Sequence, residues 1–62
     1  MKFTLQIDMS NAAFDNPERE LISIFNDVIQ RLDLLDFDTE SAITLYDSNG
    51  NRVGLACVKS DE

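Results

Sequence analysis

Hydrophobic and polar residues alternate strictly at the start of the chain. Phe3, Leu5, Ile7 and Met9 fall on one side of an extended backbone, and Lys2, Thr4, Gln6 and Asp8 on the other. A period of two marks a half-buried strand, here over residues 2–9. The following SNAAFDN segment, residues 10–16, has no period and reads as a connection, with Phe14 folded back as a staple or core plug.

The period then changes. Pro17 suits the first position of a helix, Asn16 or Asp15 can cap it, and Glu18 and Glu20 place negative charge in its first turn. At 100° per residue, Leu21, Ile22, Ile24, Phe25, Val28, Ile29, Leu32 and Leu35 occupy one sector about 160° wide. Ser23, Asn26, Asp27, Gln30 and Asp33 lie opposite. A sector that broad suits a helix lying across a sheet better than a coiled-coil seam. Leu34 falls on the polar side, so a helix over 17–34 ends there or leaves Leu34 exposed.

Residues 36–40, DFDTE, lead to a strand over 41–47 and another over 52–58, joined by Asp47-Ser48-Asn49-Gly50-Asn51. Two registers compete. A two-residue Asn-Gly turn puts Ile43 and Leu45 on the same face as Gly54 and Ala56. A type I turn over 47–50, with Gly50 left-handed, pairs Asp47 with Asn51. Ile43, Leu45, Val53, Leu55 and Cys57 then share a wholly apolar face, which the helix requires, so this register is expected. The other face would carry Lys2, Thr4, Gln6, Thr44, Tyr46, Arg52, Ala56 and Val58.

The fold class is α+β: a single β-α-β-β domain, one helix packed on a three-stranded sheet. The helix returns the chain, so the third strand can sit between the other two and antiparallel to both, giving the order 2-3-1. The order 1-2-3, with a right-handed parallel crossover, ranks second. Residues 60–62 are expected to fray.

Charge alters the functional picture more than the fold. Twelve acidic residues against five basic ones give a net charge of −7 on 62 residues. That field repels nucleic acid and membrane phosphates and attracts basic protein surfaces. The five cations form no stripe, which argues against direct nucleic-acid binding. No apolar run approaches the ~20 residues of a membrane span, and the N-terminus does not read as a signal peptide. Cys57 is the only cysteine, so no intramolecular disulfide forms, which fits a reducing cytoplasm. With no histidine to activate it, Cys57 reads as a small strand residue.

Candidate chemistry is sparse. Without histidine, a phosphate-binding glycine loop or a nucleophile–base pair, acid–base work would fall to carboxylates alone, and no enzyme activity is expected. No cofactor and no metal are expected either. The 47–51 segment opens like a calcium loop, but the required glycine is Arg52 and the twelfth position is Val58. Asp36-x-Asp38-x-Glu40 offers only part of a shell for a hard cation.

Asp33, Asp36, Asp38 and Glu40 lie within eight residues at and beyond the helix C-terminus, where the helix dipole disfavours negative charge by ~0.3–1 kcal/mol. They form a candidate acidic edge for Lys and Arg of a partner, extended by Asp27 and Glu20 on the helix. Arg31 partly offsets Asp27 as an (i, i+4) pair. The uncovered sheet face, around Thr44, Tyr46 and Ala56, is the candidate surface for a homodimer.

The stretch KFTLQIDMSNAAFDNPERELISIFNDVIQRL, followed by ITLYDSNGNRVG, resembles short acidic proteins encoded by phages and prophages. Asn11-Ala12-Ala13-Phe14 and the Asp47–Gly50 turn are the most specific parts of that likeness. No functional residue carries over from it. The resemblance implies an accessory protein of a mobile element, acting in the cytoplasm of a host cell. By analogy of size, charge and origin it points to an anti-CRISPR-like inhibitor. Its partner would be a host defence protein or ribonucleoprotein whose basic surface holds nucleic acid. The alternative is a small dimerising structural or assembly module.

Overall fold

The structure, a computed structural model, describes residues 1–60. Asp61 and Glu62, in the tail expected to fray, lie outside the described residues. The strands are β1 (Lys2–Ile7), β2 (Ser41–Tyr46) and β3 (Arg52–Lys59), and the helix is α1 (Pro17–Arg31). The sheet order is β1-β3-β2 with both pairings antiparallel, which is the expected 2-3-1 arrangement read from the other edge.

β1 is shorter than its pattern. After Ile7 the Asp8 carboxylate turns back to accept from the amide of Ser10 at 3.0 Å, ending the extended run before Met9. Asn11 caps a short 3-10 turn over Ala12–Asp15 through the amide of Ala13. This turn drops Phe14 into the core, as its place in the sequence suggested. Asn16 then caps α1 and Pro17 opens it. The α-helix stops at Arg31 and tightens into a 3-10 turn, Leu32–Leu34, which leaves Leu34 exposed and buries Leu35.

The expected turn between β2 and β3 forms. Gly50 has φ 85°, the Gly50 amide donates to the Asp47 carbonyl at 3.0 Å, and the Asp47 amide donates to the Asn51 carbonyl at 2.9 Å. The face assignment beyond it is overturned. Tyr46 pairs with Arg52 as the turn dictates, but a bulge at Val53 shifts the ladder so that Leu45 opposes Gly54 and Ile43 opposes Ala56. Gly54, Ala56 and Val58 therefore face the helix, while Leu55 and Cys57 face the other side with Thr44 and Ala42. The bulge still lets Val53 join the core, with Phe14, Ile24, Val28, Leu35, Ile43, Leu45, Ala56 and Val58.

Gly54 is required by a close approach. A Cβ there would lie 1.9 Å from the carbonyl oxygen of Gln6 on β1. The face of Phe3, Leu5 and Ile7 continues that of Gly54, Ala56 and Val58. However, α1 contacts β2 and shares a core with Val53, Ala56 and Val58 of β3, while Phe3 and Leu5 remain 45% and 37% exposed. In a full β-α-β-β-α-β arrangement a second helix would lie over β1; among the described residues no helix takes that position.

Candidate functional site

Of the six carboxylates assigned to the acidic edge, Glu20 belongs to the framework and Asp27 is held in an ion pair while staying half exposed. Glu20 is buried and accepts from both the amide and the hydroxyl of Ser48, at 2.7 and 3.0 Å, which ties the start of α1 to the β2–β3 turn. It sits four residues before Ile24 and eight before Val28, the other buried positions of α1. That spacing puts it on the inward side of the helix and was the signal for its role. Asp27 pairs with Arg31, whose guanidinium also donates to the Thr44 carbonyl at 2.8 Å. Arg31 thereby occupies a backbone acceptor on the β2 edge.

The other four carboxylates stay together on the surface. Asp33, Asp36, Asp38 and Glu40 are all exposed along the connection from α1 to β2. The segment is held by its own hydrogen bonds. The Asp36 carboxylate accepts from the Asp38 amide at 2.9 Å, and Ser41 both receives from the Asp36 amide and donates to its carbonyl. Glu40 accepts from the Ser60 amide at 3.2 Å, joining the segment to the end of β3. Asp36 and Glu40 thus point to separate backbone partners and do not converge on a cation. Among the described residues no group of three or more His, Cys, Asp or Glu is placed to hold a metal ion.

The charge pattern did not reveal that Leu34 and Phe37, inside this acidic segment, are 68% and 46% exposed. Apolar side chains ringed by charge are a common arrangement at protein interfaces, where the apolar groups anchor and the rim selects.

The face proposed for self-association is only partly assembled. Tyr46 is exposed and Thr44 half-buried on the open side of the sheet, with Thr4, Gln6 and Leu55. Ala56 is not there. The bulge turns it inward, where it is fully buried, and Val58 follows it. Cys57 takes their place on the open face, nearly covered by its neighbours, with its sulfur 3.0 Å from the Thr4 hydroxyl.

The pKa of Asp47 is displaced. Its burial acts to raise it. Hydrogen bonds from the Asn51 amide, the Asn11 side chain, the Asn49 amide and the Asn51 side chain act the other way and win. The carboxyl is therefore held below its ordinary value, because four donors stabilise its charged form. The segment that resembled a calcium loop is a turn in which both carboxylate oxygens of Asp47 are already engaged.

No protein-family model, curated protein or solved structure matches the chain. Among the described residues no helix is long and apolar enough to cross a membrane.

Proposed function

We propose that the chain is a non-enzymatic, acidic binding protein that docks its 33–40 segment on a basic surface of another protein. The observation that carries this reading is the cluster itself. Four exposed carboxylates alternate along the chain with exposed Leu34 and Phe37, on a segment pinned by backbone and serine hydrogen bonds. A segment held in shape before binding loses less entropy on docking, and the net charge of −7 speeds its encounter with a cationic surface.

In its specific form the reading follows the resemblance to phage-encoded proteins. The partner is then a host defence protein or ribonucleoprotein in the cytoplasm, and the chain covers the Lys and Arg that hold its nucleic acid. Such an inhibitor acts by occupancy and needs no cofactor. The alternative, an assembly module joined through Thr44 and Tyr46, has less support, because Ala56 lies inside the core.

The test is capture from a bacterial lysate by the wild type and by Asp33→Lys combined with Asp38→Lys. These two side chains are exposed and the framework does not depend on them, so the variant keeps its fold by circular dichroism. The reading expects a nucleic-acid-handling complex retained by the wild type, released as salt rises and lost by the variant. Equal capture by both proteins would overturn it.

A further inference from the structure

A second exposed apolar surface lies outside the acidic segment. Along α1 and just past it, Ile22, Phe25, Ile29 and Leu32 are exposed by 53%, 42%, 64% and 37%. Their spacing of three and four residues makes them one stripe. Its direction is fixed by the contacts of the opposite flank: Glu20 reaches the β2–β3 turn and Arg31 reaches β2. The stripe therefore overhangs β1, where Phe3 and Leu5 form an uncovered floor. The molecule carries both an apolar ridge and an apolar trough beside it.

We infer that this surface joins two copies of the chain, the stripe of each lying in the trough over β1 of the other. Because ridge and trough belong to the same molecule, one two-fold axis satisfies both at once, the self-complementary condition of an isologous dimer. The partner's α1 takes the place over β1 that a second helix holds in β-α-β-β-α-β.

The area is sufficient. From their fractional exposures the six side chains leave on the order of 600 Å² accessible per copy, so a seam that covers them completely buries about 1,200 Å², the lower end of a stable interface. The stripe itself is uncharged, with Glu18 and Asp33 only at its ends, so no carboxylate is trapped at its centre.

Charge sets the dependence on salt. Two copies of net charge −7 repel each other, so screening tightens the dimer. Docking of the acidic segment on a basic partner responds in the opposite sense. The dimer and the proposed function can therefore fail separately.

Sedimentation equilibrium tests the inference at about 50 and 500 mM salt, with wild type, Ile29→Glu and Tyr46→Asp. Ile29 is more than half exposed, so its replacement leaves the helical circular dichroism unchanged. The expected result is a wild-type dimer that tightens with salt and persists in Tyr46→Asp. Ile29→Glu should weaken it on the order of 100-fold, since the charge enters the seam twice. Isotope-filtered nuclear Overhauser contacts from the Phe25 ring of one copy to Phe3 or Leu5 of the other would place the seam directly. A wild type that stays monomeric at millimolar concentration would overturn the inference. So would a dimer lost in Tyr46→Asp but kept in Ile29→Glu.

Discussion

Replacing Gly54 by alanine places a methyl carbon 1.9 Å from the Gln6 carbonyl oxygen, 3.0 Å from the Gln6 carbonyl carbon and 3.1 Å from the Ile7 Cα. All three are backbone atoms, so no side chain can swing aside. A carbon–oxygen contact needs roughly 1.4 Å more than the shortest of these distances allows. The end of β1 must move off β3 by about that much, straining the bond from the Asp8 amide to the Val53 carbonyl, now 2.7 Å.

A forced backbone shift costs ~1–3 kcal/mol, and each weakened ladder hydrogen bond adds about 1 kcal/mol. A loss of about 3 kcal/mol is expected, against roughly 3–9 kcal/mol of total stability for a chain this size. At ~4–8 °C per kcal/mol, the melting temperature falls by about 12–24 °C. Gly50→Ala is the control. Its Cβ would meet nothing within 4 Å, so only the left-handed φ is penalised, by about 1–2 kcal/mol. Thermal and urea denaturation of the three proteins gives the ranking. A Gly54→Ala protein that melts no lower than Gly50→Ala would refute the close packing of β1 on β3.

Two further outcomes follow from the buried carboxylates. Glu20→Ala removes both bonds to Ser48 and should cost about 2 kcal/mol in urea denaturation; Glu20→Gln, which keeps an acceptor, should cost less. The folded-state pKa of Asp47 lies below its unfolded value, so its charge contributes stability fully above the ordinary carboxylate range. That contribution is lost as pH falls through the folded value. The melting temperatures of wild type and Asp47→Asn should therefore differ near neutral pH and converge in acid; a gap independent of pH would contradict the assignment.

The local signals in the sequence were sufficient for the skeleton. Pro17 with Asn16 placed the start of the helix, Gly50 placed the turn, and a single returning helix placed β3 in the centre. The faces were harder to read, because a bulge at Val53 shifts the ladder by one residue and reverses every side chain after it. Nothing in Arg52-Val53-Gly54 announces a bulge; what requires glycine there is the approach of Gln6, 48 residues away in the chain.

The broad apolar sector of the helix was legible, but only half of it is buried. The other half could be recognised as exposed only once α1 was known to lie over β2 and β3. Among the carboxylates assigned to the acidic edge, Asp33, Asp36, Asp38 and Glu40 kept their place on the surface. Glu20 did not, because a carboxylate within the buried four-residue series becomes a tether.

The proposed function requires that the acidic segment and nucleic acid compete for one surface. The most direct measurement is the displacement of labelled nucleic acid from the captured complex by increasing amounts of the chain. Wild type should displace it fully, less well as salt rises, and Asp33→Lys with Asp38→Lys should not. Simultaneous binding of chain and nucleic acid, or equal displacement by the charge-reversed variant, would contradict the account.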